Sequence, residues 1–255
     1  MTMIPRGGAT MLLAGAAMLV LAGCGRDDGN AANAATTNAT QTGAAADAVP
    51  ETDDPAMDYA RLFMPAEQVS SQGVALFRQT FDTGFASNPD NLALERQHPG
   101  TQAAAREAGA AAMQAVFQRE LPGIQARIAD AVRPQASAED LREISRFMRT
   151  PTAQAMQRAA SQGMTGPVTA RAGDGGPALR PEDLAKAGQD SVGALTPAQL
   201  AELQRFAGTP AGQALNKLAP VSSQLVLTET NALAQRAAPE VSAAISKVVQ
   251  ERTGQ

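Results

Sequence analysis

The stretch that decides the fold occurs twice, as "SAEDLREISRFMRTPTAQAMQRAA" from Ser137 to Ala160 and as "TPAQLAELQRFAGTPAGQALNKLA" from Thr196 to Ala219. The two copies align without gaps at a constant offset of 59 residues. A leucine, a glutamate, an Arg-Phe pair, a Thr-Pro pair and a glutamine recur at matched positions. Apolar residues lie three and four apart on both sides of each Thr-Pro, which is the period of a helix. Each copy therefore predicts a helix, a Thr-Pro joint and a second helix.

The Thr-Pro pairs have a physical role as helix punctuation. Proline disfavours the helical conformation in the residue before it and is well placed at the first position of a helix, where its missing N–H costs nothing. The threonine hydroxyl can cap the free N–H groups of the helix that follows. We therefore predict that these residues form structural helix joints: Thr150, Pro151, Thr196, Pro197, Thr209 and Pro210. The pairs Leu141/Phe147 and Leu200/Phe206 are expected to close each helical hairpin with an apolar stripe.

The glycines of the second copy also suggest a phosphate-binding loop, but the spacing does not fit one. Such a loop needs four residues between its glycines, followed by Gly-Lys-Ser/Thr. Gly208 and Gly212 have three residues between them, and no Gly-Lys follows. The first copy has Arg149 and Ala153 at the matched positions. The glycines are therefore particular to one copy, and their expected role is close approach of the backbone at the joint.

Residues 56–255 are predicted to form one all-α domain, an irregular helical bundle that contains the two related hairpins. Alanine, glutamine, arginine, leucine and methionine dominate, and alternating β-branched residues are scarce. Phe77, Phe81 and Phe85 recur every four residues and predict a buried aromatic ladder. Pro122 is expected to kink or end a helix that begins near Thr101. The segment 163–181, rich in glycine, proline and alanine, is predicted to be a mobile loop between the repeats.

The first 23 residues have the pattern of a signal peptide, with Arg6 followed by an apolar run too short to span a bilayer. They end at "LAGC", Leu21 to Cys24, which resembles the lipobox of bacterial lipoproteins. The resemblance implies cleavage before Cys24 and a covalent lipid on its sulfur. Cys24 is the only cysteine, so the chain can form no internal disulfide. Gly25, where an aspartate would signal inner-membrane retention, favours the periplasmic face of the outer membrane.

Residues 24–55 are predicted to form a disordered linker after the lipidated cysteine. Alanine, asparagine, threonine and glycine dominate there and cannot bury enough apolar surface to offset the entropy of ordering. This segment carries one arginine and six acids, whereas residues 56–255 carry 19 basic and 19 acidic residues. A neutral body gives no electrostatic basis for binding nucleic acid.

The second copy resembles a known bacterial family. "LTPAQLAELQRF" followed by "TPAGQAL" is similar to the signature catalogued as domain of unknown function 2059, in which a polar helix and an aromatic precede Ser/Thr-Pro, a variable residue and glycine. That family commonly has Phe-Tyr before the Ser/Thr-Pro, whereas Phe206 is followed here by Ala-Gly. The resemblance implies helices and an envelope location, and no activity.

Residues for familiar catalytic chemistry are few. His98 is the only histidine and lies in an apparent turn, so a histidine-rich zinc site or a Ser-His-Asp relay has no further support. The carboxylate pairs Asp140/Glu143 and Glu182/Asp183 could serve a cell-wall hydrolase, but both fall in the first turn of a predicted helix, where acids complement the helix dipole.

The sequence thus predicts a non-enzymatic envelope lipoprotein that has no cofactor beyond its lipid. Its partners are expected to be the membrane, through the anchor, and an envelope protein that it binds or helps to assemble. The alternative is a carrier or chaperone for an apolar ligand, based on methionines such as Met148, Met156 and Met164, which can pack adaptably. A carboxylate-dependent hydrolase is a third possibility.

Overall fold

The computed structural model describes residues 49–171 and 180–254, with the side chains of 162–171 left out of the description. The predictions for the signal peptide, for Cys24 and for most of the linker lie outside the described residues. So does the part of the predicted loop from 172 to 179. Within the described residues every regular element is helical, which confirms the all-α bundle. None of the described helices is both long and apolar enough to cross a membrane.

The helices follow one another with short connections. In chain order they are α1 Pro55–Phe63, α2 Ala66–Ala86, α3 Pro89–Gln97, α4 Thr101–Val132, α5 Ala138–Met148, α6 Pro151–Arg171, α7 Pro181–Gly193, α8 Pro197–Ala207 and α9 Pro210–Thr253.

The two longest helices, α4 and α9, form the antiparallel spine of the bundle. Arg119 pairs with Glu240 at 2.6 Å, and eight residues nearer the end of α4 Arg127 pairs with Glu229, also at 2.6 Å. The residue number of the partner in α9 falls as the residue number in α4 rises, which shows that the two helices run antiparallel. Helix α4 continues through Pro122, so the alternative that this proline ends the helix is wrong. Its ring lies on the exposed side, and buried side chains of α4 on both sides of it hold the helix in place.

Helix α2 packs against α4 through a reciprocal exchange of phenylalanine and glycine. A Cβ atom at Gly73 of α2 would lie 2.4 Å from Cζ of Phe117 in α4, and one at Gly109 of α4 would lie 2.4 Å from Cζ of Phe77 in α2. Each ring therefore fills the space that the opposite helix leaves by having no side chain. The aromatic ladder continues from Phe77 to Phe81 and Phe85, with ring centroids 5.8 Å apart at each step.

Helix α4 begins without a side-chain cap of its own, and the preceding helix supplies one. The carboxylate of Glu95 in α3 accepts hydrogen bonds from the backbone N–H groups of Gln102 at 2.7 Å and Gly100 at 2.6 Å. These bonds lower the pKa of Glu95 below its ordinary value. Gly100 has a φ of 86°, a conformation that glycine adopts without strain. His98 ends α3, and its carbonyl oxygen accepts from the hydroxyl of Thr101 at 2.6 Å.

The first part of the predicted mobile loop is helical. Helix α6 continues to Arg171 and packs along α7, so the boundary placed at residue 163 is wrong. Glycine costs about 1 kcal/mol in a helix relative to alanine, a cost that packing against a neighbouring helix can offset. The composition of this segment alone could not reveal that neighbour.

The internal repeat is longer in the structure than in the sequence. At the same offset of 59 residues, the last turns of α4 correspond to α7, with Pro122 matched to Pro181. The buried positions coincide although the residue types differ: Ile124, Gln125, Ile128, Ala129 and Val132 in α4, and Asp183, Leu184, Ala187, Gly188 and Ser191 in α7. We call residues 122–160 the first unit and residues 181–219 the second unit. Each consists of three helical segments.

The two units interlock, in addition to the packing of α5 on α6 and of α8 on α9 within each unit. The middle helix of each unit packs on the last helix of the other, α5 on α9 and α8 on α6. At the contact, the matched rings of Phe147 and Phe206 stack with centroids 3.9 Å apart and planes within 2°. The hydroxyl of Thr152 in α6 donates to the carboxylate of Glu202 in α8. The two rings thus also pair across the units, a contact that the apolar stripe expected within each hairpin does not include.

Candidate functional site

Each of the two Thr-Pro joints connects the middle helix of a unit to its last helix, and the local geometry follows from the sequence. We call Arg149-Thr150-Pro151 the first joint and Gly208-Thr209-Pro210 the second joint. The hydroxyl of Thr209 accepts from the N–H of Gly212 at 3.0 Å, and that of Thr150 accepts from the N–H of Ala153 at 3.3 Å. Pro151 and Pro210 are the first residues of α6 and α9.

The third Thr-Pro pair begins α8 in the same way. The hydroxyl of Thr196 accepts from the N–H of Gln199 at 3.3 Å, and the side chain of Gln199 accepts in return from the N–H of Thr196 at 3.0 Å. Pro197 is the first residue of the helix. This reciprocal pair is a capping box, which satisfies two backbone donors that the helix itself cannot pair.

The first joint differs from the second by a buried ion pair. Two nitrogens of the Arg149 guanidinium donate to the two carboxylate oxygens of Asp58 in α1, each at 2.8 Å. The hydrogen bond to Asp58 raises the pKa of Arg149 above its ordinary value. Both side chains are largely buried. Arg149 thus fixes α1 on the first unit, whereas Gly208 at the matched position has no side chain to do so.

Helix α1 also explains why the two middle helices differ in burial. It packs on α5, where Leu141 is 2% exposed, and the matched Leu200 of α8 is 37% exposed. Met148 of α5 is buried, whereas the matched position in α8 is the exposed Ala207. The predicted apolar stripe of Leu200 and Phe206 is therefore only half buried, because none of the described helices covers α8 as α1 covers α5.

The two glycines of the second joint have different roles. A Cβ atom at Gly212 would lie 2.1 Å from the carbonyl oxygen of Phe206, which is backbone and cannot move aside freely. A Cβ atom at Gly208 would lie 3.5 Å from the nearest atom, the carbonyl oxygen of Arg205, which is an ordinary contact. Only Gly212 is therefore required for the close approach that the sequence suggested for both.

We expect Gly212→Ala to lower the free energy of unfolding by about 1 kcal/mol and Gly208→Ala to change it by less than about 0.5 kcal/mol. The first cost is moderate because Ala153 at the matched position shows that a slightly wider joint is compatible with the fold. Urea unfolding of both variants followed by circular dichroism measures the difference. Equal stabilities would show that the second joint has no tighter backbone contact than the first.

A groove lies beside the second joint. It has a volume of about 530 Å³ and is formed by the connection from α4 to α5 on one side and by the first two turns of α9 on the other. Its walls are made by Pro134, Gln135, Ala136, Ser137, Asp140, Pro210, Gln213, Ala214 and Lys217. Six of these residues belong to the repeated Thr-Pro stretch, two in the first copy and four in the second. The groove therefore lies beside the stretch whose glycines suggest a phosphate-binding loop, but neither Gly208 nor Gly212 lines it.

The groove carries one charge of each sign. One carboxylate oxygen of Asp140, Oδ2, accepts from the hydroxyl of Ser137 at 2.6 Å, and the N–H of Asp140 donates to that hydroxyl at 3.0 Å. Lys217 is exposed and forms no ion pair with any described residue. The sequence marks Gln213 as a repeated residue and Lys217 as the lysine of the quoted stretch, but it places neither in a groove, because exposed polar residues on a long helix are common. The sequence feature that identifies them is their position in the first two helical turns after the second joint.

A second groove, of about 630 Å³, lies between α2 and α4. Val74, Phe117 and Leu121 form its floor, and its rim is polar. Arg78 on the rim is paired with Glu107 at 2.7 Å. Of the methionines that suggested an apolar carrier, Met148 and Met156 are buried in the core and do not line this groove. The side chain of Met164 lies outside the described residues.

The candidate catalytic carboxylates are engaged at helix starts or in local ion pairs. Asp183 accepts from the N–H of Arg180 at 3.0 Å as part of a helix cap, and Glu182 lies 3.7 Å from the guanidinium of Arg180. Glu143 pairs with Arg146 at 3.4 Å. Within the described residues no group of three or more histidine, cysteine, aspartate or glutamate side chains could hold a metal ion.

No family model, no curated protein and no solved structure matches this chain. The similarity to the domain of unknown function 2059 rests on the quoted residues around the second joint and stays a resemblance.

Proposed function

We propose that this chain is a lipid-anchored protein of the bacterial envelope whose helical body binds another envelope component without catalysing a reaction. The observation that carries the proposal is the sequence "LAGC" with its single cysteine, Cys24, after a short apolar run. A lipid at this position holds the body near a membrane. Several acyl chains, each contributing about 0.8 kcal/mol per buried methylene, give a stable anchor where one chain alone is marginal.

The arrangement of the body supports a binding role. The carboxylates considered for catalysis, Asp140, Glu143, Glu182 and Asp183, lie at helix starts or beside arginines. The exposed features that differ between the two units are a groove with one charge of each sign and an uncovered helix, α8. Differences of this kind between duplicated units affect recognition more directly than they affect folding, since the buried positions are kept.

The anchor is tested by Cys24→Ser in a Gram-negative host. We expect the native chain to incorporate labelled palmitate and to sediment with the outer membrane, and the variant to lose the label and the sedimentation. Ser222→Ala serves as the control, because it changes a buried residue of α9 and leaves the N-terminus intact. Incorporation of label by the Cys24→Ser variant would contradict the anchor.

The binding role is tested by crosslinking the lipidated protein in cells and identifying its neighbours by mass spectrometry. We expect a reproducible protein neighbour that is lost when the body is absent from the anchored chain. An empty list of neighbours, obtained beside a known envelope complex that does crosslink, would refute the binding role while leaving the anchor in place.

The groove between α2 and α4 keeps the carrier hypothesis as a second candidate, since its floor is apolar. A carrier must bind fluorescent apolar probes or co-purify with lipid. The full chain with Cys24→Ser, purified without detergent, provides the measurement. Neither bound lipid nor probe fluorescence would remove this candidate.

A further inference from the structure

Each residue that lines the groove at the second joint has a counterpart 59 positions away in the other unit, so the two sets of residues can be compared. One wall is the α4–α5 connection of the first unit, and the other is the start of α9 in the second unit. Because the units interlock, the matched walls are the α7–α8 connection and the start of α6. The matched residues are Gly193, Ala194, Leu195, Thr196 and Gln199 on one side and Pro151, Gln154, Ala155 and Arg158 on the other.

The decisive difference between the two settings is the size of one side chain. Ala136 on the connection of the first unit is matched by Leu195 on that of the second, and both lie partly buried against the core. Leucine carries an isobutyl group where alanine carries a methyl group. The wall of the groove therefore carries a smaller aliphatic group than the second unit has at the matched position.

The chemistry of the walls also differs between the settings. The positive charge is kept, as Lys217 at the groove and Arg158 at its counterpart, but Asp140 is matched by the neutral Gln199. The groove alone therefore combines an anionic wall, a cationic wall and apolar surface. The apolar part consists of Pro134, Ala136, Pro210 and Ala214. A ligand that satisfies all three features needs a positive group, a negative group and a small aliphatic side chain between them.

We propose that this groove binds a short peptide with free termini and an aliphatic side chain. The Lys217 ammonium donates to the peptide carboxylate. The Asp140 carboxylate accepts from the peptide ammonium through Oδ1, which accepts no hydrogen bond from the described residues, while Ser137 holds Oδ2. The aliphatic side chain lies over Ala136, where the first unit carries only a methyl group.

The groove is large enough for such a ligand. Small-molecule sites in proteins have volumes of about 300–1,000 Å³, and the 530 Å³ here falls within that range. The inference gives a ligand class to the binding role proposed above and rests on it. Its test uses the isolated protein, so a failure here is distinguishable from the loss of a partner in crosslinking or the loss of the anchor.

The experiment titrates the tripeptide Ala-Leu-Ala, with free termini, into the ¹⁵N-labelled full chain carrying Cys24→Ser. We expect saturable shifts of the backbone amide signals of Ala136, Gln213 and Lys217. Acetyl-Ala-Leu-Ala-amide, which lacks both charges, is expected to bind at least about tenfold more weakly, since a lost charged hydrogen bond is worth about 1.4 kcal/mol or more.

Two variants test the walls of the groove. Ala136→Leu copies the second unit, and we expect it to weaken binding at least about tenfold while the thermal midpoint stays equal or rises, because leucine fills the groove. Lys217→Gln is expected to weaken binding, and Lys247→Gln, which changes an exposed lysine at the far end of the same helix, is expected to leave it unchanged.

Three results would overturn the inference. One is the absence of shifts at about 10 mM peptide, a concentration that detects even very weak binding. Another is equal binding of the blocked and free peptides, or of Ala136→Leu and the native chain. The third is a shift of the groove amides when residues 25–48 are deleted without added peptide, which would make the chain's own linker the occupant.

Discussion

Replacing Arg149 with methionine is expected to lower the free energy of unfolding by about 3 kcal/mol, because it leaves the Asp58 carboxylate buried without its partner. Methionine keeps a long apolar stem, so the lost packing is small. The two bonds of 2.8 Å to both oxygens of Asp58 form the only tie of this kind between α1 and a joint among the described residues. Urea unfolding of the purified body and its variant measures the loss.

The matched control for this prediction is Arg146→Met, one turn earlier on the same helix. The side chain of Arg146 is 73% exposed, and its pair with Glu143 spans 3.4 Å. Exposed pairs contribute less than about 1 kcal/mol, so we expect a loss of about 0.5 kcal/mol or less. The double variant Asp58→Leu with Arg149→Met should recover most of the loss, since an apolar pair can replace a buried ion pair. A loss for Arg149→Met no larger than that for Arg146→Met would show that the ion pair does not hold α1.

Adding one methyl group at Gly73 is expected to lower the free energy of unfolding by about 2 kcal/mol, although alanine is a better helix former than glycine. The new Cβ atom would lie 2.4 Å and 2.6 Å from two ring carbons of Phe117, which is itself buried. A buried aromatic ring cannot rotate away without displacing its neighbours, because protein interiors are packed as densely as organic crystals. Thermal and urea unfolding of Gly73→Ala give the measurement.

Gly84→Ala, on the same helix, is the matched control. A Cβ atom there meets no other atom within 4 Å, so the change removes only the conformational freedom of glycine. We expect a gain of about 0.5–1 kcal/mol. In a double-mutant cycle, Phe117→Leu should reduce the cost of Gly73→Ala, because the smaller side chain leaves room for the methyl group. If Gly73→Ala were stabilised as much as Gly84→Ala, the reciprocal packing of α2 and α4 would be refuted.

Much of the local structure follows from the sequence, because it depends on residues close to one another in the chain. Thr196 and Gln199 form a capping box, and Thr209 caps the helix that Pro210 begins, at the positions where the spacing places them. The start of α1 at Pro55, after the capping residue Asp54, falls where the composition changes from linker to helix. These features depend on rotation about a few bonds and on hydrogen bonds within one turn.

The groove could be predicted only in part. Pro210, Gln213 and Lys217 lie in the quoted stretch, but their opposite wall comes from the α4–α5 connection, whose approach depends on how the units interlock. A comparison of Ala136 with Leu195 at the repeat offset would have marked the position. In the sequence, however, the repeat is visible only from Ser137 onward, since the end of α4 and α7 share buried positions but not residue types.

The sequence by itself determined the helices, the Thr-Pro joints, the expected lipid on Cys24 and the neutral charge of the body. The tertiary structure decided that Phe147 pairs with Phe206 across the units, that Arg149 fixes α1, and that Leu200 is exposed while its counterpart is buried. The reason is physical. Helix starts and stops are set by interactions within a few residues, whereas the partner of each apolar face depends on residues distant in the chain that compete for the same surface.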